Sequence, residues 1–127
     1  MEQSSGPHRI LLVDSQPYQH RELVLKAGNF VVTSVPSLAA ARATFIPEHF
    51  SLVLIVTDGL DGDPVQFCEH LKQLDTSQTV ALLSGPHVYL PHDSCPDDVI
   101  EKTDGPRHLL KRVNALIKSE PEPQFAD

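Results

Sequence analysis

Leu52-Val53-Leu54-Ile55-Val56, preceded by Ser51, is an unbroken apolar run that ends within two residues at the acidic, glycine-rich stretch Asp58-Gly59-Leu60-Asp61-Gly62-Asp63. A strand with one wet face alternates apolar and polar residues, so a continuous run of aliphatic side chains predicts a strand covered on both faces. Such a strand belongs at the centre of a parallel sheet. Sheets of that kind bind ligands beyond the carboxyl ends of their strands, so the residue delivered there matters most. It is Val56 or Asp58, depending on where the strand stops.

The remaining chain supplies partners for this strand. Arg9-Ile10-Leu11-Leu12-Val13-Asp14 is a first apolar strand stopped by an acid. Ser15 is placed to cap the following helix, Pro17 suits its first turn, and Leu23, Val24 and Ala27 share one face before Gly28 ends it. Phe30 to Ser34 reads as a second strand, and Ser37 caps a second helix through Leu38, Ala41 and Phe45. After the central run, Asp63 and Pro64 open a third helix with Phe67, Cys68, Leu71 and Leu74 at helical spacing. Thr79 to Ser84 is a fourth buried strand, Asp98 to Lys102 a short fifth. Between them Pro86, Pro91 and Pro96 leave room for one or two helical turns at most, a shortened or irregular fourth helix. The last helix begins near Asp104 or Pro106 and carries Leu109, Leu110, Val113, Leu116 and Ile117. Strands alternating with helices predict an open α/β sandwich, a parallel sheet with helices on both faces. Periodicity does not give the strand order.

Composition narrows the function. The 127 residues fit one domain, divided into a disordered lead-in at 1–8, a folded unit at 9–118 and a polar tail at 119–127. Ten Lys and Arg against 17 Asp and Glu give a net charge of -7, which argues against a nucleic-acid backbone as partner. No apolar run approaches the ~20 residues of a membrane helix, so a cytoplasmic location without membrane contact is expected. Cys68 and Cys95 show neither a secreted disulfide framework nor a metal knuckle, and two reduced thiols are expected, with Cys68 in the core. The histidines are scattered, His87 and His92 among them, and read as solvated.

The strand ends resemble those of a known family, the receiver domains of two-component response regulators. The resemblance runs from about Arg9 to Lys118 and rests on Ile10 to Asp14, Ser51 to Val56, Val80 to Ser84 and Asp98 to Lys102. It implies the flavodoxin-like, CheY-like fold with strand order 2-1-3-4-5, an order for which the chemotaxis receiver is a standard example. It also implies a site: an acidic pair on the first strand for Mg²⁺, a phosphoacceptor aspartate on the third, a hydroxyl on the fourth and a lysine on the fifth. Asp14 keeps one acid of the pair while Ser15 replaces the other; Ser84 and Lys102 match the hydroxyl and the lysine. The helix after the central strand follows without a gap, and in that register the phosphoacceptor position is Val56.

An isopropyl group neither attacks phosphorus nor ligates a hard cation. The pocket of Asp14, Ser15, Val56, Ser84 and Lys102 therefore reads as degenerate, with Mg²⁺ binding weak or absent, no cofactor and no catalytic residue. Lys102, lacking an acidic neighbour at Val56, is expected to reach Asp14. Asp58 is an alternative, displaced acceptor, since a shift of two residues keeps strand parity. The bland reading of Asp58, Asp61 and Asp63 is turn and cap chemistry; the stretch lacks the full Ca²⁺-loop pattern. Val99 stands where receivers carry an aromatic switch residue. The expectation is a non-enzymatic, phosphorylation-independent interaction module, monomeric or homodimeric. It would meet a histidine kinase or a downstream effector through the face of Val99, Arg107, Lys111 and Arg112. The alternatives are an active Mg²⁺-dependent acceptor using Asp58 and a small-molecule sensor.

Overall fold

The central run forms β3 (Leu52–Val56), and all five of its residues are buried. Its neighbours are β1 (Arg9–Val13) and β4 (Val80–Ser84), and the sheet is closed off by β2 (Val31–Val35) and β5 (Asp98–Glu101). All four pairings are parallel and the order is β2-β1-β3-β4-β5. In the computed structural model the described residues are 8–16, 20–85, 95–102 and 105–117.

Four helices pack on the sheet: α1 (Arg21–Ala27), α2 (Leu38–Thr44), α3 (Pro64–Leu74) and α4 (Gly105–Ile117). Because strand side chains alternate, each central strand feeds two cores. Leu11, Val13, Val53, Ile55 and Leu82 pack with Leu38 and Ala41 of α2 and Phe67 and Leu71 of α3. Ile10, Leu12, Leu54, Val56 and Leu83 pack on the other face with Leu25 of α1 and Leu109, Val113 and Ile117 of α4. The three-layer sandwich follows from this parity. The expected fourth helix lies at 86–94, outside the described residues.

Local chemistry explains most element ends. Ser37 accepts from Ala40 N–H at 3.0 Å and starts α2, and Asp63 accepts from Val65 N–H at 2.9 Å and starts α3, with Pro64 at its first position. The first helix departs from expectation. Ser15 does not cap it; the helix begins at Arg21 after His20, which has φ 64° and makes no side-chain cap bond. Its buried residue is Leu25, whereas Leu23 is 61% exposed. Three consecutive apolar residues leave the phase of so short a helix open, and tertiary packing decides it. A Cβ on Gly28 would stand 2.7 Å from Leu110 Cδ2, so the end of α1 lies hard against α4. Leu74, expected in the core, is the last residue of α3 and is 52% exposed.

The expectation of two free thiols is also corrected. Cys68, fully buried on α3, is bonded to Cys95, with their Cα atoms 5.9 Å apart. Spacing of 27 residues carries no pairing signal in itself; the parallel placement of β5 beside β4 brings the residues just before β5 over α3. No described helix is long and apolar enough to cross a membrane.

Asp61 performs a capping role across the loop. Its carboxylate accepts from Leu38 N–H at 2.7 Å and from Ala39 N–H at 3.2 Å, adding an anion to the start of α2. The Leu38 bond holds its carboxyl below the ordinary value of 3.8, against some desolvation. A lowered folded-state pKa means that the contribution is complete above the ordinary value and is lost as pH falls through the lowered one. Asp61→Ala should therefore melt below the parent at neutral pH, and the two melting curves should converge in acid. A gap that stayed constant as pH fell would remove Asp61 from the support of α2.

Candidate functional site

The carboxyl ends of β1, β3, β4 and β5 lie along one edge of the sheet, and the turns that follow them build the site. Asp14 follows β1 directly; its N–H donates to Val35 O at 2.9 Å, and its side chain is buried, 3% exposed as a residue. A carboxylate so placed needs partners. It accepts from Gln16 N–H at 2.8 Å, and Arg21 Nη1 reaches both of its oxygens, at 3.2 and 3.0 Å. Arg21 is itself nearly covered, its side chain 12% exposed. The expected pair between Asp14 and Lys102 is not formed. Arg21 replaces Lys102 because α1 starts late and turns its first residue back onto the end of β1.

β3 stops at Val56, still in register opposite Leu83, and Thr57 N–H continues the ladder to Leu83 O at 3.0 Å. Val56 is completely buried in the core beneath α1 and α4. Asp58 lies beyond the strand, in a turn with Gly59 at φ 70°. Ser15, freed from capping, donates to Asp58 O at 2.8 Å and ties the turn to the end of β1. The approach is close: a Cβ on Gly59 would meet Ser15 Oγ at 2.7 Å, which is one reason for glycine there.

The Asp58 carboxylate is ion-paired with Lys102, the residue directly after β5. The two side chains are 39% and 23% exposed. Ser84, buried at the end of β4, accepts a hydrogen bond from Thr57 Oγ1 at 3.2 Å. Asp14, Ser15, Val56, Ser84, Lys102 and Asp58 are thus assembled on one edge, with the charges sorted into two pairs. Beside Arg21 and Lys102 is a cavity of about 250 Å³ lined also by Val24, Leu83, Glu101, Pro106 and Leu109. Among the described residues no cluster of three or more His, Cys, Asp or Glu has metal-ligand geometry.

The surface residues singled out from the sequence occupy the β5–α4 side. Val99 is half-buried against the α2–α3 core. Arg107 and Lys111 are exposed one turn apart on α4, while Arg112 is ion-paired with Asp98 of β5.

This architecture has many solved counterparts. A response regulator receiver domain protein (CheY-like) from Methanospirillum hungatei JF-1 superposes with a TM-score of 0.76 at 20% identity, covering 90% of this chain and 96% of that one. The fold is that of a receiver domain. The non-phosphorylated HemR receiver domain from Leptospira biflexa gives a TM-score of 0.79 at 18% identity, covering 93% and 99%. Response regulator protein TrrA from Thermotoga maritima, in complex with Mg(2+)-BeF, gives 0.73 at 20%, covering 86% and 98%. No protein-family model matches the chain, and no curated protein does.

Arg21 and Thr57 are site residues that sequence reasoning missed. Pro17 suggests an earlier helix start, which hides the inward-facing position of Arg21; Thr57 reads as a strand terminus with no assigned partner. Burial ranks the two ion pairs. Arg21→Met strands a carboxylate that is nearly without solvent, and should lower unfolding free energy by about 2–4 kcal/mol in urea titration. Lys102→Met leaves a carboxylate that water reaches, and should cost less than about 1 kcal/mol. Equal losses would contradict the different environments of the pairs.

Proposed function

We propose that this chain is an atypical receiver domain, a non-enzymatic protein-interaction module of a bacterial two-component or phosphorelay pathway that works without aspartyl phosphate. The observation that carries this reading is the internal pairing of the pocket's charges around a valine. Receiver phosphorylation draws on carboxylates that hold a divalent cation and on a carboxylate nucleophile. Here the Asp14 carboxylate is taken by a guanidinium, and Val56, the residue in acceptor register, is completely buried. A cation built into the chain does for Asp14 what a bound metal does elsewhere, and it needs no phosphoryl group to stay there.

The partners fitting this reading are a histidine kinase or a downstream effector. The binding face is that of Val99, Arg107, Lys111 and Arg112. On a chain of net charge -7, the exposed pair Arg107 and Lys111 suits an acidic surface.

A second reading has an observation of its own. Asp58 meets Lys102, as an acceptor displaced past the strand end would; in that case the Asp58 carboxylate would take the phosphoryl group of a phosphodonor, whose leaving oxygen would depart as the new O–P bond forms, and Asp14 would hold the Mg²⁺ that offsets the charge. The cavity beside Arg21 favours a third, in which a small molecule is sensed there.

Acetyl phosphate and Mg²⁺ separate the first two readings. Intact-mass measurement of the whole chain should find no phosphoryl adduct, and Mg²⁺ with beryllofluoride, the combination present in the Thermotoga TrrA complex, should leave the melting temperature unchanged. An adduct that appears on the parent and is absent from Asp58→Asn would instead establish the displaced acceptor.

A further inference from the structure

We propose that the Cys68–Cys95 disulfide is a reversible thiol–disulfide site whose reactant is a dithiol, and that its state sets how firmly the β5 edge of the sheet is held. The Cα separation of 5.9 Å falls inside the range of about 4.4–6.8 Å that bridged cysteines occupy, so the bond closes without backbone movement. Cys68 sits among Phe67, Leu71 and the α2–α3 core, and Cys95 packs on the same core. A buried thiol is a small apolar group. Breaking the bond therefore leaves Cys68 in a filled site, and what is lost is the tether rather than the core.

The tether has little to back it up. β5 is four residues long, pairs with β4 alone, and buries only Ile100 fully. Ahead of it, Asp97 is held by Val80: its N–H donates to Val80 O and its carboxylate accepts from Val80 N–H, each at 2.8 Å. The same carboxylate accepts from Lys72 Nζ at 2.7 Å. Cys68 and Lys72 are one helical turn apart on α3, and Cys95 and Asp97 lie in one short segment. A covalent and an ionic link thus run side by side from one face of α3 to the approach to β5. The ionic link is exposed, with side chains 29% and 40% accessible, and such pairs contribute little. With the disulfide open, the two hydrogen bonds between Asp97 and Val80, one of them to the Asp97 carboxylate, and the Asp98–Arg112 pair are the anchors left at that end. β5 carries Val99 and, through Asp98, Arg112, so the step from redox state to partner binding rests on the interaction face proposed above.

The chemistry balances within the named reactants. A thiolate of the dithiol attacks Cys95 Sγ, the sulfur of the less buried residue. The S–S bond breaks with its electron pair on Cys68 Sγ, which takes a proton. The second thiol of the reductant then attacks the mixed disulfide, releases the Cys95 thiol and leaves the reductant as a disulfide. Two electrons and two protons pass to the protein. An oxidised dithiol runs the exchange in reverse.

The test uses the full chain and dithiothreitol, with alkylation, mass spectrometry and amide hydrogen exchange as readouts. Purified without reductant and then denatured, the protein should take no alkylating label; after dithiothreitol in native buffer it should take two. The Val99 to Glu101 amides should exchange at least about tenfold faster in the reduced form, as expected of a locally opened edge, with β1 and β3 unchanged. Cys95→Ser should reproduce the fast exchange without reductant, and it keeps Cys68 in the core should Cys68→Ser fail to fold. Free thiols at the outset, a bond that opens only on unfolding, or equal exchange in the two states would each overturn the proposal. None of these readouts uses a partner or a phosphodonor, so they stand apart from the fate of the proposed function.

Discussion

A sheet of parallel strands covered on both sides has no wet face, and the consequences of that constraint reach every part of this molecule. Each central strand must be apolar at successive positions, as Leu52 to Val56 and Val80 to Leu83 are. Alternation then assigns odd and even positions to separate cores, one under α2 and α3 and the other under α1 and α4. Polar groups are admitted only where the strands end. Asp14 and Ser84, both almost fully buried, stand at two such ends, and Lys102 follows the end of β5. The residues of the site lie on that edge, where the strands end.

The buried charge at the edge is compensated without position 56. Two carboxylates, Asp14 and Asp58, are ion-paired with two cations, Arg21 and Lys102, and the exposed Glu101 lines the cavity beside them. A carboxylate at position 56 would enter a completely buried site, with Arg21 and Lys102 already paired. Uncompensated buried charge is far more costly than a lost contact. Val56 instead continues the α1–α4 core to the rim. The apolar residue and the guanidinium are complementary, because Arg21 compensates the buried Asp14 and Val56 adds no further buried charge.

How much of this the sequence reveals depends on the range of the interaction involved. Strand and helix order, the two-sided burial of β3, and the caps at Ser37 and Asp63 are local, and periodicity and turn chemistry find them. The side-chain pairs are another matter. Arg21 on Asp14 depends on a helix that begins at 21 rather than near Pro17, and Asp58 on Lys102 spans 44 residues. The phase of α1, with Leu25 inward instead of Leu23, is set by the close packing of Gly28 on Leu110. Cys68 and Cys95 meet only because the parallel placement of β5 beside β4 lays the residues just before β5 across α3. In each case what is illegible is a tertiary distance between residues whose types are ordinary.

The loop from Asp58 to Asp63 shows why turn chemistry and site chemistry need not be rival accounts of the same acids. It is pinned along its length: Ser15 holds Asp58 O, Gly59 lets the chain pass close to Ser15, Asp61 caps α2, and Asp63 caps α3. A six-residue loop fixed at those points has little freedom left. The direction of Asp58 is therefore a consequence of two helix starts and one serine. Its meeting with Lys102 follows from how the loop is fastened, and a strand extended by a bulge is not needed to explain it. An acid delivered in this way is positioned by the fold itself, through bonds that the loop makes to β1, α2 and α3.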